Sequence, residues 1–107
     1  MQDIKEESWN DLNGEKAIIF IHTPFCATCQ LAEKMLHVIE QAETSRKIFR
    51  MNASYYPEFM KKHKIESVPA LVLWDGHTVQ EKLYAMESVT KLFEVIELWD
   101  QKWRITQ

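Results

Sequence analysis

Two cysteines, Cys26 and Cys29, carry the clearest chemical potential in this chain of 107 residues. They are three positions apart, directly after an apolar stretch and at the start of a pattern with helical spacing. On a helix, residues three apart share a face, with Cα atoms about 5–6 Å from each other, which a disulfide tolerates. The first turn favours the thiolate of Cys26, and Cys29, one turn deeper, is placed to resolve a mixed disulfide. The spacing predicts thiol–disulfide exchange.

Other interpretations of the cysteine pair remain open. The thiols could be core residues or a structural disulfide, although a cytosolic chain rarely keeps structural disulfides. A structural zinc site would need four ligands. Without a second chain, the missing two would have to come from histidines that show no paired spacing, namely His22, His37, His63 and His77.

A proline, Pro69, stands directly before the apolar run Ala70–Trp74. Proline is normally absent from central strands because it lacks an N–H. At the start of a strand it either forms a cis peptide, which an X–Pro bond permits at low cost, or begins the strand in the trans form. The residue pattern alone leaves both forms open for the Val68–Pro69 bond.

Hydrophobic periodicity indicates the elements that must position these residues. Strands are predicted at 17–21, 47–51, 70–74 and 78–84, and helices at about 3–12, 26–43, 58–63 and from 88 onward. Asn13-Gly14 predicts a turn, and Asp75-Gly76 predicts a type I′ hairpin, which requires positive φ at both central residues. Alternation followed by a hairpin favours an α/β fold, with a mixed central β-sheet flanked by helices on both faces.

The two long helices are predicted to be amphipathic, and Ser88 is expected to cap the last one. The apolar positions are Ala32, Met35, Leu36, Ile39 and Ala42 in the first helix and Val89, Leu92, Phe93, Ile96 and Trp99 in the last. We assign Trp74, Trp99 and Trp103 to packing or helix ends.

Composition narrows the classes of function. The length suits one domain, residues 1–107, and the net charge of −3 lacks the basic footprint of a nucleic-acid binder. The basic run 61–64 fits a solvated helix end. No apolar stretch reaches the ~20 residues of a membrane-spanning helix, and the start of the chain lacks the apolar core of a secretory signal. A cytoplasmic protein without membrane association is therefore expected.

Taken together, these residues resemble the thioredoxin family over nearly the whole chain. The resemblance lies in the strand 17–21, Cys26-Ala27-Thr28-Cys29, Ser67-Val68-Pro69-Ala70, the hairpin at Asp75-Gly76 and the final amphipathic helix. It implies the thioredoxin fold in a single domain. It also implies that Cys26 attacks, that Cys29 resolves, and that Pro69 is cis and lies against the cysteines. Val68 would then pair through its backbone with an extended substrate.

Four features of the sequence depart from the family's pattern. Ala27-Thr28 replaces Gly-Pro between the cysteines, and Phe25 replaces the usual Trp. Phe20 stands where thioredoxins carry a buried aspartate that assists proton transfer to the resolving thiol. Tyr84 stands where they place a glycine that lines the substrate groove, so we expect Phe25 and Tyr84 to border that groove with Val68 and Pro69.

His22 is the nearest candidate to replace the missing aspartate as proton acceptor. It lies two residues along a strand from Phe20, which places both on the same face, and its ordinary pKa suits proton shuttling. The alternative is a packed or partly exposed histidine without a catalytic role.

The resemblance implies a dithiol oxidoreductase that needs no cofactor beyond Cys26 and Cys29. Its expected partners are disulfide-containing proteins or small thiols and an unidentified recycling reductase, and the chain is expected to be a monomer. Two other functions remain open, because the lost aspartate and glycine also suit a module whose cysteines are vestigial. These are a thioredoxin-fold binding module and a redox sensor that does not turn over many substrates.

Overall fold

The computed structural model describes residues 1–5, 12–42 and 48–106, the last four of these as backbone only. Its strands are β1 (Gln2–Asp3), β2 (Ala17–His22), β3 (Ile48–Asn52), β4 (Ala70–Trp74) and β5 (Val79–Leu83). Its α-helices are α1 (Ala27–Ala42), α2 (Pro57–Lys62) and α3 (Val89–Thr106), and a 3₁₀ turn spans Ala53–Tyr55. Each predicted strand and each predicted helix after residue 12 is present, with its bounds within one residue of the prediction.

The strands form one mixed sheet in the order β1-β3-β2-β4-β5. β3 runs parallel to β1 and β2, whereas β4 is antiparallel to β2 and β5. In the β2–β4 register Ile21 pairs with Ala70, so the end of β2 lies beside the start of β4. This register brings the segments that follow residue 22 and precede residue 70 to one edge of the sheet.

The core lies on both faces of this sheet, as the doubly apolar strands predict. One face carries Ile18 and Phe20 and is covered by α1 and α3. The other carries Ile19 and Ile21 and is covered by α2 and part of the N-terminal segment, including Ile4. Among the described residues no polar or charged side chain is fully buried.

The prediction for the N-terminal segment is wrong at its start. Asp3 belongs to β1, which pairs in parallel with β3, and not to a helix. The two-residue strand forms hydrogen bonds with backbone groups of β3 that would otherwise lie unpaired at the edge of the sheet. This tertiary pairing outweighs the local preference of the segment for a helix. Residues 6–11 of the predicted helix lie outside the described residues, whereas the turn at Asn13-Gly14 is confirmed.

The hairpin between β4 and β5 is confirmed, but its predicted type I′ turn is wrong. Four residues connect the strands, and of Asp75 and Gly76 only Gly76 has positive φ, at 104°. The Asp75 carboxylate accepts hydrogen bonds from the backbone N–H groups of His77 (2.8 Å) and Thr78 (2.7 Å). This side-chain bonding stabilises the longer turn.

The last helix is capped as predicted, since the Ser88 hydroxyl accepts the Lys91 N–H at 3.1 Å. Leu92, Ile96 and Trp99 are buried, and so is Trp74. The predicted apolar stripes are too wide, because Val89, Phe93 and Ala42 are exposed. The Trp103 side chain lies outside the described residues. In the described part of the chain, no helix is long and apolar enough to cross a membrane.

Candidate active site

Cys26 and Cys29 form a disulfide across the first turn of α1, with Cα atoms 5.2 Å apart. The apolar strand β2 delivers the chain to the edge of the sheet, and a short loop then leads into the helix. Cys26 is partly exposed, whereas Cys29 is only 3% exposed and belongs to the core beneath α1. The Cys26 sulfur is therefore more accessible to solvent than the Cys29 sulfur, as the sequence predicts.

The Cys26 sulfur occupies the position of a helix-capping group. It accepts the backbone N–H of Cys29 at 3.2 Å and lies 3.4 Å from the Thr28 hydroxyl oxygen. The Cys26 carbonyl accepts the Gln30 N–H at 3.1 Å, which begins the helical hydrogen bonds. A backbone hydrogen-bond donor and the positive end of the helix dipole therefore lie at the Cys26 sulfur.

Phe25 presents an aromatic ring to water directly beside the disulfide. Its backbone has φ of 60°, in the left-handed region that bulky residues rarely adopt, and its side chain is fully exposed. An aromatic ring in this position contributes apolar surface next to Cys26 without contributing to the core. The ring of Phe25 therefore lies at the surface of the molecule, next to Cys26 in the chain.

The Val68–Pro69 peptide bond is cis. Because Ala70 pairs with Ile21, Pro69 lies at the same edge of the sheet as the loop that carries Cys26. Val68 and Cys26 are both partly buried and pack against the same core cluster. The structure therefore brings the Val68–Pro69 segment and the disulfide to one end of the molecule.

Tyr84, which follows β5, is 36% exposed. Its hydroxyl oxygen accepts the backbone N–H of Glu66 at 3.3 Å, in the loop that leads to Pro69. Tyr84 thus contacts the border of the site through this hydrogen bond, a contact that the sequence did not indicate.

His22 lies at the end of β2, in a polar setting close to Cys29. The two side chains line one cavity of about 340 Å³, together with Glu33 and Arg50. His22 stacks on Phe20 with ring centroids 5.9 Å apart, so the two share a face of the sheet as predicted. Burial, and then the positive charge of Arg50, lower the pKa of His22, while Glu33 and Asp3 oppose this shift. At neutral pH the imidazole is held in its neutral form.

Sequence reasoning missed the charged network on Arg50. Its guanidinium donates to Glu33 Oε1 at 2.8 Å and to Asp3 Oδ1 at 2.6 Å, and these hydrogen bonds raise the pKa of Arg50. The three residues come from α1, β3 and β1, so their meeting depends on the tertiary fold. One sequence feature could have indicated a charged group near Cys29: Glu33 follows it by four residues and therefore lies on the same face of the helix.

Nothing in ranges 1–5, 12–42 and 48–106 groups three or more His, Cys, Asp or Glu side chains in a way that could hold a metal ion.

The chain is similar in sequence to known proteins. The sequence model of the thioredoxin family matches residues 2–98. The thioredoxin-like protein YusE of Bacillus subtilis is 36% identical over 97 residues, which cover 91% of this chain and 92% of that protein.

Two solved structures share the fold. A point mutant of the thioredoxin of Halobacterium salinarum superposes with a TM-score of 0.73 at 16% identity, over 92% of this chain and 90% of that one. Mitochondrial thioredoxin 3 of Saccharomyces cerevisiae, in its oxidised form, gives 0.72 at 18% identity, over 91% of this chain and 93% of that one. At these identities the two structures establish the architecture alone, and they agree with the predicted fold class.

Proposed function

Since the chain belongs to the thioredoxin family, we propose that it is a thiol–disulfide oxidoreductase in which Cys26 attacks and Cys29 resolves. Family membership and the cysteine pair support disulfide exchange in general. The observation that carries the assignment of roles is the asymmetry of the pair: Cys26 is reachable at the helix end, and Cys29 is buried one turn behind. An accessible sulfur with hydrogen-bond donors is suited to attack, and a buried neighbour is suited to the second step.

The proposed reaction starts from the reduced protein. The Cys26 thiolate attacks one sulfur of a substrate disulfide, forming a mixed disulfide while the other substrate sulfur leaves as a thiolate. Cys29 loses its proton and attacks the Cys26 sulfur, which closes the intramolecular disulfide and releases the second substrate thiolate. The substrate gains two electrons and, once its sulfurs are protonated, two protons. Holding the two cysteines together makes the second step fast through its high effective molarity.

We propose that His22 accepts the proton of Cys29 in the second step. Two observations support this role: His22 and Cys29 line one cavity, and burial lowers the pKa of the imidazole so that it is neutral at neutral pH. A His22→Gln variant should slow release of the substrate at neutral pH, where the imidazole is free to accept a proton, and should match the wild type at acidic pH, where the imidazole is already protonated. An unaltered profile would retire the role and leave His22 as a packed histidine.

The proposed substrate groove is bordered by Phe25, Val68, Pro69 and Tyr84. An extended polypeptide could pair with the backbone of Val68 while its cysteine reaches Cys26. Disulfide-containing proteins or small thiols are the proposed substrates, and a separate reductase of unknown identity would restore the dithiol. We propose reduction as the direction of exchange, as in a reducing cytoplasm, with the chain acting as a monomer and using no other cofactor.

Trapping of the mixed disulfide tests this function. A Cys29→Ser variant should accumulate disulfides between Cys26 and cell proteins, which a reductant releases, while the matched Cys26→Ser variant should trap none. If Cys29→Ser also traps nothing, the chain is a binding module. If a partner binds one redox form while the wild type fails to reduce a simple disulfide, the chain is a redox sensor.

A further inference from the structure

The loop between α2 and Pro69 is fixed at its start by the end of α2. Lys64 adopts the left-handed conformation, with φ of 55°. Its N–H donates to the Lys61 carbonyl at 3.2 Å, and the Ile65 N–H donates to the Met60 carbonyl at 2.9 Å. This is the hydrogen-bond pattern of a Schellman motif, and Ile65 is buried behind it. Only Glu66 and Ser67 then separate this anchor from Val68.

The same loop is also held from β5. Tyr84 accepts the Glu66 N–H at 3.3 Å, and the Lys82 ammonium donates to the Lys64 carbonyl at 3.0 Å. Lys82 lies in β5 and Tyr84 is the residue after its end, and both reach the backbone of this loop. Since Leu83 pairs with Leu71, the end of β5 lies beside the start of β4, where this loop enters the sheet. The side chains of Lys82 and Tyr84 therefore brace the backbone just before Val68.

We propose that Tyr84 is a positioning residue that holds the Glu66–Val68 backbone in place and thereby favours polypeptide disulfides over small ones. The proposal rests on the proposed function and deepens it by naming a residue that sets the preference among the proposed substrates. An extended peptide that pairs with Val68 needs the main chain of that residue in a fixed place, because ordering it at the moment of binding would weaken affinity. A small disulfide needs only the Cys26 sulfur and gains nothing from the brace.

Tyr84→Phe removes the hydroxyl and keeps the ring. A net hydrogen bond of ordinary strength corresponds to about a fivefold change in an equilibrium constant. The Glu66 amide should therefore exchange with deuterated water about fivefold faster in the variant. Tyr55→Phe is the matched control, because Tyr55 is 78% exposed and lies outside this loop.

The activity assay uses two probes with the same leaving group, on the pre-reduced protein in single turnovers. One is a short cysteine peptide joined by a disulfide to thionitrobenzoate, and the other is dithiobis(nitrobenzoate). For the peptide, the half-saturating concentration should rise about fivefold in Tyr84→Phe with an unchanged limiting rate. For the small probe, any loss in the rate constant should be smaller than the roughly fivefold change expected with the peptide. Tyr55→Phe should match the wild type with both probes.

Several outcomes would overturn the proposal. Unchanged exchange at Glu66 would mean that the brace does not hold the loop. An equal loss with both probes would place the effect on the cysteines or on the fold as a whole. Faster reaction with the peptide would make Tyr84 an obstruction. A wild type that reduces neither probe would refute the proposed function itself, a result distinct from a wild type that works and a Tyr84→Phe variant that matches it.

Discussion

Gly76→Ala is expected to be far more harmful than Gly14→Ala, although both glycines have positive φ. Gly14 has φ of 87° and Gly76 has φ of 104°, so both substitutions place an alanine in an unfavourable backbone region. A Cβ at Gly14 would meet no atom within 4 Å. A Cβ at Gly76 would lie 2.7 Å from the Gly14 carbonyl carbon and 2.9 Å from its Cα, and these are backbone atoms that no rotamer change can move.

The expected magnitude follows from these contacts. The left-handed backbone costs about 1 kcal/mol for a residue with a side chain, and Gly14→Ala should destabilise the fold by roughly that amount. At Gly76 the overlap adds about 1–3 kcal/mol. It also strains the 2.8 Å hydrogen bond from the Gly14 N–H to the Gly76 carbonyl, worth about 1 kcal/mol. Gly76→Ala should therefore cost about 3–5 kcal/mol.

Urea denaturation of the two variants and the wild type, followed by circular dichroism, measures this difference directly. The melting temperature of Gly76→Ala should fall by on the order of 15 °C, and that of Gly14→Ala by about 5 °C. Equal stability of the two variants would refute the reasoning. In that case the turn at Asn13-Gly14 and the β4–β5 hairpin would not be packed together in solution as described.

Stability is also expected to depend on pH through His22, whose pKa is lowered by burial and by Arg50. The unfolded chain binds this proton with a pKa of about 6.5, so the stability that neutral His22 allows is fully present above that pH and is lost as pH falls through the folded pKa. The free energy of unfolding of His22→Gln, measured by urea titration, should therefore fall less on acidification than that of the wild type. Arg50→Met should raise the pKa of His22 in NMR titrations, and an unchanged pKa would show that the two charges are not coupled. The same substitution should destabilise the fold by about 1 kcal/mol, because it breaks two partly exposed ion pairs. Lys64→Gly should stabilise the fold by about 0.5 kcal/mol, because it relieves the left-handed backbone at the end of α2, and a loss of stability in urea would contradict this.

Local pattern was sufficient to predict most of the sheet and the placement of Cys26 and Cys29. Runs apolar on both faces identified β2 and β4, and the spacing of the cysteines identified the start of α1. Pattern failed where the structure depends on distant partners. β1 forms because the edge of β3 offers unpaired backbone groups, and a two-residue strand carries no periodicity of its own.

The surroundings of the cysteines were predicted only in part. Resemblance to a family identified Pro69 and Tyr84, because each sits at a fixed place relative to the strands. The partners of these residues were not predictable. The hydrogen bond from Glu66 to Tyr84 and the pairing of Arg50 with Glu33 join residues that are 17 or 18 positions apart. Such contacts are set by how the strands align, which composition and periodicity do not specify.

Phe20 places an aromatic ring in the core behind Cys29, where an ionisable side chain would respond to the electronic state of the sulfurs. Reduction of the pair takes up two electrons and, while both thiols stay protonated, two protons, so the midpoint potential should fall by about 59 mV per pH unit. A buried carboxylate would change the slope of midpoint potential against pH, because its pKa would depend on the charge of the neighbouring sulfur. Only apolar side chains are buried in the described core. The pH dependence of the midpoint potential should therefore be set by the cysteines and by ionisable groups that solvent and dissolved ions can reach.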